Sequence, residues 1–272
     1  MQYKQIPPPA FLQDYVRYFW VLENDGDDGL PRNLRAIADG SPGLIFQQTD
    51  CGTLCYEDRN RLPGMFLYGQ TTKPRNMYAT GKLCTIGIYF YPNALKSVFG
   101  LNANELTDDC LDLHSLNASQ VISLSDQLLN TLSIQERIRA LSSYLVTQVQ
   151  AHNIPVDEPM RYAVSQIVQS KGHVSVKELR EQLFLTERSF ERRFKQWVGI
   201  PPKLFARICQ FQASLAQLRH NRFDKLSDIA FELDYADHSH YIRAFKEFAG
   251  FSPNQYQKWS SEVVENLAEV RR

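Results

Sequence analysis

The sequence predicts an α+β protein of two domains, β-rich at the N-terminus with a helical end and all-α at the C-terminus. Three observations predict it. First, one stretch is written twice: residues 186–205, TERSFERRFKQWVGIPPKLF, return as residues 237–256, DHSHYIRAFKEFAGFSPNQY. Phe190, Arg192, Phe194, Lys195, Gly199, Pro202 and Phe205 have their counterparts in Tyr241, Arg243, Phe245, Lys246, Gly250, Pro253 and Tyr256. A copied supersecondary unit implies one task done twice. Second, residues 1–116 hold short apolar runs divided by Gly, Pro, Asn and Asp clusters, which is strand-and-turn punctuation. Third, 30 Lys+Arg balance 30 Asp+Glu over the chain, but residues 155–260 hold 16 against 12 and the remainder 14 against 18. A basic module beside an acidic one suits a nucleic-acid binder with a separate regulatory part.

Taken in order, residues 9–18 read as a short helix on the edge of the first strand. FWVL (19–22), GLIF (43–46), MFLY (65–68) and TIGIYF (85–90) read as strands of a small barrel or sandwich. Turn clusters at 24–33, 39–43, 58–64 and 71–76 separate them. Residues 92–99 begin a helix that Gly100 ends. Residues 104–109 are a polar connector. Residues 116–152 are helical in two pieces, one lined by Val121, Leu124, Leu128 and Leu129, the other by Ile138, Leu141, Leu145 and Val149. The break falls at Ser133, an N-cap with Glu136 three residues on. The second row is a narrow apolar seam, suited equally to a second copy in a homodimer and to packing on its own domain.

Residues 1–152 are thus expected to form a regulatory domain, 153–159 a linker, and 160–260 a second domain. Within the latter, VKELREQL (176–183) and LSDIAFEL (226–233) precede the two copies as short helices. Helix, short turn, then a helix with a basic exposed stripe is a helix-turn-helix pattern, whose second helix enters the DNA major groove. Phe190, Phe194 and Trp197 form the apolar stripe of that helix, and Arg188, Arg192 and Lys195 a basic one. Residues 202–218 connect the two units as a helix of about 25 Å, a size that suits two reading helices one DNA turn, roughly 34 Å, apart. The tail after Trp259 reads as a polar helical end.

Residues 160–257 resemble the DNA-binding domain of AraC/XylS transcription regulators. The second copy carries most of the resemblance: Asp228-Ile229-Ala230, Ala236 to Lys246 (ADHSHYIRAFK), then Gly250-Phe251-Ser252-Pro253 and Tyr256. Two positions depart from the family pattern, Asp234 where Gly is usual in the turn and Arg180 where Ala is usual. The resemblance implies sequence-specific binding of double-stranded DNA. It implies base-facing positions at Arg188, Glu191 and Arg192 in the first unit and at His238, Ser239, His240 and Arg243 in the second. Lys195, Lys203 and Lys246 are expected on phosphates, where they set register. In the first half, FWVLE, DGSPGLIF, YGQ, GIYFYP and LNANELTDD are laid out as in the sensor domains that precede AraC-type readers, so the expected fold is a barrel or cupin-like domain.

Enzyme chemistry is not expected. The chain has no P-loop, dinucleotide fingerprint or HExxH motif, and His114 and His152 are the only histidines of the first half. Neither cofactor nor metal is expected. Cys51, Cys55, Cys84 and Cys110 could in principle hold structural zinc, as in Ada-type methyl-transfer regulators, but Cys84 and Cys110 are far apart where those have a tight pair; ordinary thiols are expected. A zinc- or thiol-reactive regulator is therefore the alternative reading, and a DNA binder whose first domain only dimerises is another. Five cysteines, no signal-peptide pattern and no apolar run of about eighteen residues suit a cytoplasmic protein without a membrane partner. The aromatics Trp20, Phe46, Phe66, Tyr68, Tyr89 and Phe90 alternate along strands, so half point inward and either fill a core or line a pocket. Arg35, Gln70 and Arg75 are then the candidates for a polar group of a small-molecule effector. RNA polymerase and a second copy are the further expected partners.

Overall fold

Alternation along the strands decides how the first half packs. In β2 (Val16–Asn24) Phe19 and Val21 face one way, Trp20 and Leu22 the other. β4 (Gly43–Gln47), β6 (Met65–Tyr68) and β8 (Leu83–Phe90) follow the same rule. These strands, with β1 (Gln2–Ile6) and β9 (Cys110–Asp112), form a six-stranded antiparallel sheet in the order β1-β2-β8-β4-β6-β9. One face packs on α1 (Leu95–Phe99), α2 (Ala118–Asn130) and α3 (Ile134–His152). The other meets a second sheet through Trp20, Leu34, Leu54, Phe66, Met77 and Tyr89. That sheet joins β3 (Arg32–Ala36), β5 (Gly52–Tyr56) and β7 (Arg75–Gly81) to a hairpin from the far end of the chain, β10 (Ser260–Val264) and β11 (Leu267–Val270), in the order β10-β11-β3-β7-β5. The computed structural model describes residues 2–24, 32–48, 52–56, 61–220, 223–264 and 267–270.

The protein is α+β, with a β-rich first part and a helical second part. Two facing open sheets, not a closed barrel, make the first part. Residues 9–18 are not a helix: Ala10–Leu12 is a single 3-10 turn, Val16 already belongs to β2, and β1 precedes both. The turn clusters at 24–33 and 71–76 run into β3 and β7, while residues 25–31 lie outside the described residues. Leu129 is 41% exposed and not part of the buried row of α2. On α3, Ser133 caps the start by accepting from Glu136 N–H, as expected. Its seam points inward: Ile138, Leu141 and Leu145 are buried and Val149 packs beside them in the core shared with α1 and the six-stranded sheet. Those four residues therefore offer no face to a second copy. The tail is a β-hairpin, not a helix.

The second part contains α4 (Glu158–Gln169), α5 (Val176–Gln182), α6 (Glu187–Val198), α7 (Pro202–Arg219), α8 (Leu226–Glu232), α9 (His238–Ala249) and α10 (Pro253–Trp259). They share one core that also takes in Ile37 and Ala38, the residues just past β3.

Candidate nucleic-acid interface and sensor cavity

The duplication in sequence is a duplication in space. Helix α6 is capped by Thr186, whose hydroxyl accepts from Ser189 N–H, and α9 by Asp237, which accepts from His240 N–H. Each ends on a left-handed glycine, Gly199 at φ +100° and Gly250 at φ +78°. Phe194 meets Phe205 at 5.7 Å between ring centroids, and Phe245 meets Tyr256 at 5.8 Å. The turn before each helix also matches. Phe184 (φ +54°) and Asp234 (φ +50°) are both left-handed, a conformation that costs a side-chain-bearing residue about 1–2 kcal/mol. A glycine at Asp234 would avoid that cost, which explains the family preference. Arg180 is accommodated half-buried between Glu181 (3.2 Å) and Glu187 (3.5 Å).

The structure sorts the cations. Arg193 holds Asp157 at 2.7 Å, Arg207 holds Glu247 at 2.6 Å, and Arg219 donates to the Tyr256 hydroxyl at 3.0 Å. By contrast Arg188, Arg192 and Lys195 on α6, and Arg243 and Lys246 on α9, are exposed and pair with no described residue. His238 and Ser239 are exposed at the start of α9; Glu191 is half-buried. His240 is turned back: its Nδ1 accepts from Ala236 N–H at 3.3 Å and its ring packs edge-on to Tyr235. The two units thus present two matched bare cations each, Arg192 and Lys195 on α6 and Arg243 and Lys246 on α9, above equivalent aromatic cores, with Arg188 an additional one on α6.

The Arg193–Asp157 pair was not foreseen. Asp157 caps α4 through Met160 N–H and is largely buried, so it fixes the end of the 153–159 connector to α6. Asp157→Ala removes the cap and leaves a guanidinium without its partner. The expected loss is about 1–3 kcal/mol, read as a lower urea midpoint; an unchanged midpoint would contradict the clamp.

Both α6 and α9 touch the sheet-bearing part at their C-termini. Thr107 Oγ1 donates to Gly199 O at 2.9 Å, and Lys96 lies over the Trp197 ring at 5.5 Å. For α9, Ala38 N–H donates to Phe248 O at 3.2 Å and Arg35 Nη1 to Gly250 O at 3.2 Å.

Between the two sheets lies a cavity of about 360 Å³, within the range of small-molecule sites. Trp20, Leu22, Ile45, Leu54, Phe66 and Met77 make its apolar wall, and Lys73, Arg75, Asp108 and Asp109 stand among its polar residues. The Trp20 ring covers Gly87, where any Cβ would overlap the indole. Of the three proposed effector contacts only Arg75 lines this cavity, with its guanidinium 4.0 Å over the Tyr56 ring. Gln70 is buried elsewhere and donates to Gly40 O at 3.0 Å. Arg35 is used at the contact with α9. Lys73, Asp108 and Asp109 were missed; Lys73 sits in the turn cluster beside Arg75, which was the available signal. Burial and the Cys110 thiol raise the Tyr56 phenol well above its usual range, so it enters as a neutral hydroxyl.

Among the described residues no three His, Cys, Asp or Glu side chains gather as a metal site. Cys110 accepts from the Tyr56 hydroxyl and Cys84 from Arg137, while Cys51 lies outside the described residues. No described helix is long and apolar enough to cross a membrane.

Residues 4–112 match a domain of unknown function (DUF6597), and residues 179–258 match a helix-turn-helix domain. An uncharacterized HTH-type transcriptional regulator of Haemophilus influenzae is 27% identical over 137 residues, 50% of this chain and 45% of that one. The chain thus spans less than half the length of that curated relative. ToxT from Vibrio cholerae superposes with a TM-score of 0.46 at 11% identity, over 88% of this chain and 97% of that one. ToxT bound to (E)-4-(8-methylnaphthalen-1-yl)but-3-enoic acid gives 0.48 at 10% identity, over 95% and 99%. The DNA-binding domain of AdpA in complex with a target DNA gives 0.34 at 18% identity, over 37% of this chain and 90% of that one.

Proposed function

We propose that this chain, which carries an AraC-type helix-turn-helix domain at its C-terminus, is a sequence-specific DNA-binding transcription regulator and not an enzyme. The observation that carries the reading is the pair of matched, capped helices α6 and α9 with unpaired basic stripes. In this reading residues 160–260 are the reader, 1–152 the sensor and 153–159 the connector. Arg188, Arg192 and Arg243 donate to guanine O6 and N7, and Glu191 accepts from a cytosine amino group. His238, Ser239 and the remaining ring nitrogen of His240 face the neighbouring bases. Lys195 and Lys246 hold phosphates. RNA polymerase and a second copy are the protein partners the reading adds, and the second copy pairs through a surface other than the α3 seam. Selection of binding sites from random DNA with the full chain tests it: two enriched elements are expected, and no enrichment over random sequence would refute it.

The cavity is proposed as the effector site. Its lining suits a mostly apolar small molecule with a polar group placed beside Lys73 and Arg75. A ligand that binds only the native state raises stability by about 2.7 kcal/mol at a hundredfold excess over its dissociation constant. A screen of small apolar acids and alcohols against the melting of the full chain should therefore produce a hit. Arg75→Ala is expected to shrink the shift, and Arg35→Ala to leave it in place. A hit insensitive to Arg75→Ala would remove that residue from the site.

A further inference from the structure

The geometry points to the C-terminal hairpin as a strap that holds the second reading helix, α9, against the sensor sheet. Strand β11 takes the edge of β3, with Leu267 opposite Ala36, Ala268 opposite Arg35 and Glu269 opposite Leu34. β3 is also the strand that meets the reader. Its Arg35 donates to Gly250 O and lies over the Phe251 ring at 4.1 Å. Two residues past the strand, Ala38 donates to Phe248 O, and both Ile37 and Ala38 are wholly buried in the reader core.

The chain therefore leaves α9, passes through α10 into β10 and β11, and returns to the same strand that α9 already touches. A tie made so soon after α9 in sequence keeps its C-terminus near Ala38 and Arg35, which raises the effective concentration of that contact. Among the described residues no strand pairing ties the first helix, α6, in the same way; it meets the sheet-bearing part through contacts such as those of Thr107 and Lys96. On its other edge β3 pairs with β7, and Ala36, Arg75 and Met77 of these two strands line the cavity. The strap thus bears on the strand that lies between the cavity and α9. Its regulatory consequence rests on the reading of α9 as a DNA-contacting helix; its existence does not.

Hydrogen exchange tests it with neither DNA nor effector. The Ala38 amide donates across the boundary between sensor and reader and is the reporter. Three proteins are compared: the full chain, the chain ending at Trp259, and Ala268→Pro. Proline takes one ladder N–H from β11 and leaves the rest of the chain in place. Ala38 exchange is expected to rise at least tenfold in both variants, with amides of α2, α3 and α6 unchanged. Ala268→Pro leaving Ala38 as slow as in the full chain overturns the proposal, whatever the truncated chain does. Faster exchange throughout, α2 and α3 included, overturns it as well, because that is general unfolding. If site selection had failed to find a DNA target, the Ala38 result would still stand or fall alone.

Discussion

Arg192→Ala and Arg243→Ala are each expected to weaken binding to the selected DNA site by about 1–3 kcal/mol and to relax preference at separate base pairs. At the upper end this is roughly a hundredfold in affinity. The expectation follows from equivalence: the two arginines occupy the same place in matched helices, and neither has a partner within the described protein. Lys195→Ala and Lys246→Ala should behave differently. A phosphate contact carries no sequence information, so all sites weaken alike and the slope of log affinity against log salt falls by about one. Measuring each variant on the selected site and on one-base variants of it, at several salt concentrations, separates the two classes. An Arg192→Ala protein with unaltered affinity and preference would mean that the first unit does not read bases.

Phe245→Ala is expected to cost about 3–5 kcal/mol of stability in the helical part. Phe245 is wholly buried and meets three rings, Phe211 at 5.2 Å, Tyr256 at 5.8 Å and Tyr241 at 5.9 Å. Deleting it opens a space bounded by rigid aromatics that have little freedom to collapse into it. Phe184→Ser is the matched control. That ring is 95% exposed on the turn before α6, so the change should stay within about 0.5 kcal/mol. Urea unfolding followed by helical circular dichroism reads both. A loss below about 1 kcal/mol for Phe245→Ala would mean that the second unit is less tightly packed than its ring contacts imply.

The helical part was legible because its signals are local. Thr186, Asp237, Gly199 and Gly250 mark helix ends within a few residues of the apolar stripes they bound, and the repeat doubles every signal. Four strands of the six-stranded sheet, β2, β4, β6 and β8, were legible for a related reason: both faces are buried, so their runs are densely apolar, whereas the exposed edge strand β1 and the three-residue β9 carry no such run. β3, RNLRA, and β7, RNMYATG, were not. Each is half polar and adjoins a turn cluster, and what makes it a strand is its neighbour. Arg35 shows the same limit at the level of a site. A position near a strand end suggested a ligand contact, whereas its partner, Gly250, lies at the other end of the sequence. No local pattern encodes a pairing of that range.

The pairing of β11 with β3 sets the order in which the protein is completed as it is made. Leu267 and Ala36 stand about 230 residues apart in the chain. Ribosomes add about 5–20 residues each second, so β3 waits roughly 10–50 s for its neighbour to be synthesised. During that interval one edge of the five-stranded sheet has only open backbone groups to offer, a template for pairing with another nascent chain. The N-terminal half can collapse early, but its second sheet is completed last, after the whole helical part has emerged. Chains cut short before Leu267 should accordingly form aggregates more readily than the intact protein.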